Sequence, residues 1–134
     1  WIEALILGDL AHVASAQDLH RDLADLVGVR VSAHVVIRRD GEVLQFVRFE
    51  DRAWHAGASN YGGREGWNDF AVGIELEGTD TAAFTEDQYT ALVEVSAACM
   101  HQYGVTREWI VGHSDIAPGR KTDPGSGFDW TRLP

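Results

Sequence analysis

The dipeptide Asp40-Gly41 constrains the fold of this chain more than any other feature. It lies between two runs that read as strands, residues 29–37, rich in Val and Ile, and residues 42–49. Arg38-Arg39-Asp40-Gly41 reads as a tight turn, with Asp-Gly as the hairpin signal. An antiparallel hairpin is therefore expected early in a chain whose other segments interleave strand and helix. Interleaving alone favours a parallel sheet; with the hairpin included, the expected class is α/β, a central mixed β-sheet flanked by α-helices. The 134 residues, 45% of them hydrophobic, suffice for one core, so a single domain over residues 1–134 is expected.

The remaining elements follow from periodicity and caps. Ser15-Ala16-Gln17-Asp18 reads as a capping box, Leu19, Leu23 and Leu26 recur at helical spacing, and Gly28 stops the helix. Residues 51–69 carry Gly57, Gly62, Gly63 and Gly66 and read as a long loop, a kind of segment that often carries function. Residues 71–77 alternate, with Val72, Ile74 and Leu76 on one face and Gly73, Glu75 and Glu77 on the other. Thr85 and Gln88 form the capping box of the clearest helix, whose inward stripe is Tyr89, Leu92, Val93, Ser96, Met100 and Tyr103 and whose stop is Gly104. Residues 109–111 make a short strand, and residues 112–134 read mostly as loop.

Charge and composition remove several classes of function. A formal net charge of −10 repels phosphate backbones and anionic bilayers, so neither nucleic acid nor membrane is an expected partner. A small anionic substrate remains compatible if positive charge is concentrated locally, as a bound divalent metal would do. No apolar run reaches the length of a membrane helix. The single cysteine, Cys99, excludes an internal disulfide and a thiol-rich metal site, and mildly favours a reducing compartment. The chain opens on Trp1 and its only methionine is Met100, so a segment upstream of Trp1 is expected.

Chemistry-bearing residues gather in three places. His113 follows an apolar strand, and Asp123 comes ten residues later beside Pro124. Imidazole nitrogen and carboxylate oxygen are both good zinc ligands. Lys121 lies two residues before Asp123, where an ammonium suits an oxyanion. Glu75 shares its strand face with Gly73, which leaves space for a carboxylate to act as general base; an ordinary solvent-facing carboxylate is the competing reading. Trp54 and His55 stand in the glycine-rich loop as a candidate sugar or peptide wall, or as a buried anchor for that loop. His34 reads as a packed, hydrogen-bonded histidine, and His12, His20 and His101 as surface residues. Taken singly, a histidine after a strand is most often a satisfied polar residue and a loop lysine a solvated one. A two-carboxylate glycosidase using Glu75 and Glu77 is disfavoured, because neighbours on one strand face are poorly placed to flank a glycosidic bond.

Together these segments resemble the AmpD-type N-acetylmuramoyl-L-alanine amidases, within the family that also holds the peptidoglycan-recognition proteins. The blocks that carry the resemblance are Val31-Ser32-Ala33-His34 with residues 37–42, Arg52-Ala53-Trp54-His55-Ala56-Gly57, residues 68–81, Gly112-His113, Asp115-Ile116-Ala117-Pro118, Arg120-Lys121-Thr122-Asp123-Pro124-Gly125 and Phe128-Asp129-Trp130. The resemblance implies a bacterial enzyme of the cytoplasm, with the periplasm as the other setting. It implies zinc-dependent hydrolysis of the bond between N-acetylmuramic acid, in its 1,6-anhydro form, and L-alanine of a muropeptide. His113 and Asp123 match two zinc ligands, Glu75 the acid/base and Lys121 the oxyanion partner, while Arg120, Trp54, His55 and Asn68 are expected to bind substrate. The family's third ligand is a histidine in a Val-Val-His-Asn-like strand, expected upstream of Trp1. Gly66 stands where close relatives often carry arginine. Some relatives that lack a zinc ligand only bind peptidoglycan, so a non-catalytic muropeptide-binding module is the alternative.

Overall fold

The structure is a computed structural model and describes residues 2–8, 32–79 and 81–134, with the side chains described from Ser32 onward. The expected helix after Ser15 and the histidines His12 and His20 lie outside the described residues.

Among the described residues the strands and α-helices are β1 (Ile2–Gly8), β2 (Val35–Ile37), β3 (Val43–Gln45), β4 (Asn60–Tyr61), β5 (Arg64–Glu65), β6 (Ala71–Leu76), α1 (Glu86–Tyr103), β7 (Ile110–Val111) and the short α2 (His113–Ile116). Five strands form one sheet in the order β3-β2-β6-β1-β7. β2 and β3 are the expected antiparallel hairpin, with Val36 opposite Leu44. β2 then runs parallel to β6, Val36 beside Glu75, and β1 runs antiparallel to both β6 and β7. The sheet is mixed, as the hairpin requires. The hairpin strands are shorter than expected: β3 ends at Gln45 because the Phe46 and Val47 amides both turn to the His34 carbonyl oxygen and leave the ladder.

Alternation along β6 sorts the molecule into two cores. Val72, Ile74 and Leu76, with Val35 and Ile37 of β2, face Tyr89, Leu92 and Cys99 of α1, and Phe84, Phe128 and Leu133 close this layer. Burying a large apolar side chain contributes roughly 1.5–3 kcal/mol, so this face anchors α1 to the sheet. The stripe of α1 is rotated from the expected one. Val93 is half-exposed and Cys99 is buried instead, while Gln88 is fully buried. Gln88 has a physical reason to be inside: its Oε1 accepts from the Thr85 amide at 3.1 Å, and its Nε2 donates to the Glu77 carbonyl at 2.8 Å. It satisfies the helix cap and ties α1 to the end of β6.

The second, smaller core lies where Ala56, Trp67, Ala71, Val111, Ile116 and Ala117 meet. Here the segment read as a long loop contains a hairpin. Gly62 and Gly63 both take positive φ, 58° and 78°, the two-residue turn that joins β4 to β5. Trp109 belongs to a 3₁₀ turn ahead of β7, not to the strand.

Candidate active site

On the second face of β6, Ala71, Gly73 and Glu75 come in alternation. Gly73 is buried, and a Cβ there would fall on the His55 ring, so only glycine lets the loop of residues 51–57 lie against this strand. Glu75 follows, half-buried, with Val36 and Glu3 as its Cα partners in the adjoining strands.

His113 opens α2 directly after β7 and is 1% exposed. Its Nδ1 lies 3.2 Å from Asp123 Oδ2, and its Nε2 lies 3.2 Å from the Ala56 carbonyl oxygen. A neutral imidazole has one N–H to donate. With an oxygen facing each nitrogen, one nitrogen directs its lone pair at an acceptor unless a proton or a cation lies between them. Asp123 reaches this place because its own carbonyl accepts from the Ser114 amide at 2.9 Å. Pro124 then packs on Gly112, where a Cβ would come within 2.7 Å of its ring. Lys121 lies two residues before Asp123, half-buried, its amide bonded to the Ala117 carbonyl at 3.1 Å.

Arg120 joins this group from the solvent side. One terminal nitrogen donates to the carbonyls of Ala56 at 2.7 Å and Ala58 at 2.8 Å, and stands 3.5 Å from His113 Nε2. The guanidinium lies flat on Gly57, where a side chain would meet it at 3.2 Å. It walls a cleft of about 460 Å³ shared with Ser59, Asn60, Glu65, Ile116 and Ala117.

Three residues expected to bind substrate, Asn68, His55 and Trp54, do not line this cleft. Asn68 is 7% exposed, and its Oδ1 accepts from the amides of His55 and Ala56 at 2.9 and 2.7 Å. It shapes the loop that presents the Ala56 carbonyl. His55 is 3% exposed and donates from Nε2 to the Ala71 carbonyl at 3.2 Å, which leaves its Nδ1 without a hydrogen-bond partner among the described residues. Burial first, and then the positive form of His34, push its pKa down to about 3, so it is a neutral packing group. Trp54 is stacked under the Arg52 guanidinium, 3.7 Å from its centroid, and does not line the cleft. His34 is the packed histidine expected: Nε2 donates to the Asp51 carbonyl at 2.9 Å, and Nδ1 accepts from the Gly73 amide at 3.0 Å. His101 is exposed. Two cleft residues went unread, Asn60 and Glu65; the Gly62-Gly63 pair is the signal that points to their hairpin.

Among the described residues, no three His, Cys, Asp or Glu side chains cluster as a metal site. Two donors of one tetrahedral zinc, each about 2.0–2.2 Å from the metal, lie about 3.3 Å apart. The separation of His113 Nδ1 from Asp123 Oδ2 fits that spacing, and a shared cation would resolve the facing lone pairs. The residues present fit two of the ligands of such an ion.

Known proteins share this fold. The fold is that of solved amidases: a crystal structure of an AmpD derivative matches with TM-score 0.78 and 53% identity, over 87% of this chain and 65% of that one. AmiD of Escherichia coli, solved with anhydro-N-acetylmuramic acid-L-Ala-D-γ-Glu-L-Lys, matches with TM-score 0.75 and 33% identity, over 87% of this chain and 52% of that one. The family model for N-acetylmuramoyl-L-alanine amidase matches residues 7–126. The 1,6-anhydro-N-acetylmuramyl-L-alanine amidases AmpD of Salmonella typhimurium and E. coli are each 52% identical over 133 residues, 99% of this chain and 68% and 70% of theirs. The chain belongs to the N-acetylmuramoyl-L-alanine amidase family.

Proposed function

We propose that residues 1–134 act as an amidase catalytic domain that hydrolyses the bond between 1,6-anhydro-N-acetylmuramic acid and the L-alanine of a muropeptide, in cytoplasmic recycling of peptidoglycan. The observation that carries this reading is the contact of the buried His113 with Asp123 at 3.2 Å, beside a cleft walled by Arg120, in a chain 52% identical to AmpD over nearly its whole length. The lone buried Cys99 suits a reducing compartment.

His113 and Asp123 would hold zinc, with a third donor from outside the described residues. Zinc, when bound, supplies Lewis acidity to the scissile carbonyl and to water. Glu75 takes the proton of the attacking water and passes it to the leaving L-alanine nitrogen. The Lys121 ammonium offsets the charge that develops on the carbonyl oxygen. Arg120, held in orientation by the Ala56 and Ala58 carbonyls, offers its remaining N–H edge to a stem-peptide carboxylate.

One experiment with two arms tests this. Glu75→Ala is expected to lower turnover of the anhydro-muropeptide by about 10²–10⁴-fold while elemental analysis finds the zinc still bound. Asp123→Ala is expected to lose the zinc. Normal turnover in the first variant, or full zinc in the second, removes that residue from its role.

A further inference from the structure

We propose that Asn68 is a positioning residue for the metal centre: through Ala56 it fixes the proton of His113 on Nε2 and so leaves Nδ1 for the ion. This rests on the amidase reading above and extends it to a side chain that does not line the cleft.

Asn68 is itself firmly placed. It lies in the 3₁₀ turn Trp67–Asp69 that leads into β6, and its neighbour Trp67 is fully buried. Trp67 is tied twice: its amide donates to Ser59 Oγ at 3.1 Å and its indole N–H to the Arg64 carbonyl at 3.1 Å. From this anchor one side-chain atom of Asn68 meets two successive amides, those of His55 at 2.9 Å and Ala56 at 2.7 Å. Two N–H donors converging on one atom require the amide oxygen there, not the nitrogen. His55 and Ala56 are 3% and 0% exposed, so removing that oxygen leaves two buried amides without this acceptor, a costly loss that the loop relieves by turning its peptides.

The consequence falls on the next carbonyl. The Ala56 oxygen accepts from Arg120 Nη2 at 2.7 Å and faces His113 Nε2 at 3.2 Å. Arg120 Nη2 also stands 3.5 Å from His113 Nε2. Its two hydrogens are already directed to the Ala56 and Ala58 carbonyls, at 2.7 and 2.8 Å, and none is left for the ring. The group that meets Nε2 is therefore the Ala56 oxygen, which can only accept. Nε2 carries the ring proton, and in the neutral imidazole that a metal binds the lone pair then belongs to Nδ1. Nδ1 is the nitrogen 3.2 Å from Asp123 Oδ2, the other expected ligand. Were the Ala56 peptide to turn, Arg120 would be left facing Nε2, a donor that favours the opposite tautomer and directs the lone pair away from Asp123.

The test compares zinc affinities of the full chain, measured by competition with a chelator, for the wild type, Asn68→Ala and Asn68→Asp. Asn68→Ala is expected to bind zinc about tenfold more weakly, the lower end of the effect of disturbing the partner of a metal-bound histidine. Asn68→Asp keeps an oxygen for the two amides and is expected to recover most of that loss. Heteronuclear NMR of the zinc-loaded wild type, which needs no variant to fold, is expected to show His113 protonated on Nε2. Zinc bound at Nε2, an unchanged affinity in Asn68→Ala, or an aspartate variant as weak as the alanine variant overturns the proposal and leaves the amidase reading standing. A wild-type chain that binds no zinc sinks that reading, and the proposal with it.

Discussion

His55 shows how a residue that looks chemical in sequence becomes structural in the fold. Read in Trp54-His55-Ala56-Gly57 it suggests a wall for substrate, but Gly73 opens a slot in β6 and the ring fills it. Its protonation then matters to stability. The folded pKa of about 3 lies below the ordinary value of 6.5, because burial disfavours the charged ring. The unfolded chain takes up a proton below pH 6.5 and the folded chain does not, so the contribution is complete above pH 6.5 and is lost as pH falls toward about 3. Unfolding free energies measured from pH 7 to pH 4 should decline more steeply in the wild type than in His55→Gln, by at most about 1.4 kcal/mol per pH unit. Parallel profiles would show that His55 is protonated in the folded chain. His113 and Asp123 were easier to read, because the block from Gly112 to Gly125 keeps them in a recognisable order. Their contact at 3.2 Å depends on α2 and on the packing of Pro124 against Gly112, which no spacing reveals. Glu65 was not legible as a cleft residue, since a glycine-rich run does not say which face a side chain takes.

At the scale of elements, legibility followed local chemistry. Asp40-Gly41 and the Thr85/Gln88 box act through their own backbone, and both the β2–β3 hairpin and the start of α1 lie where those residues put them. The second hairpin carried an equally local signal in Gly62-Gly63, but its strands are two residues each, too short for alternation to register. The rotation of the α1 stripe was hidden because Gln88 is polar. Only the Glu77 carbonyl and the Thr85 amide, brought together by the fold, make its burial favourable. The cap itself is a tertiary link: Thr85 Oγ1 accepts from the Gln88 amide at 3.1 Å and donates to the Arg39 carbonyl in the β2–β3 turn at 2.7 Å. Thr85→Ala should therefore cost about 1–2 kcal/mol and lower Tm by roughly 4–7 °C, with Thr85→Ser recovering most of the loss. A serine variant as unstable as the alanine variant would point to the threonine methyl group instead of the hydroxyl.

At the scale of the whole molecule two electrostatic effects oppose each other. Twenty-one acidic against eleven basic residues leave the net charge of −10, a self-repulsion that acts against the compact state. Against it stand local ion pairs: Arg38–Glu42 at 2.8 Å, Arg48–Asp51 at 2.6 Å, Arg52–Asp69 at 2.7 Å and Arg132–Glu86 at 2.7 Å. Each joins side chains of which at least one is substantially exposed, and solvent and salt leave such pairs little net stabilisation. Raising ionic strength from about 0.01 M to about 0.1 M shortens the screening length from about 30 Å to about 10 Å. That removes most of the repulsion between distant carboxylates, while pairs at 2.6–2.8 Å stay well inside the screening length. Repulsion among the excess acids should therefore be the larger loss, and the urea midpoint at pH 7 should rise over this range of sodium chloride. A falling midpoint would show that the ion pairs dominate, and that Arg48–Asp51 and Arg132–Glu86 hold the chain together more firmly than their exposure implies.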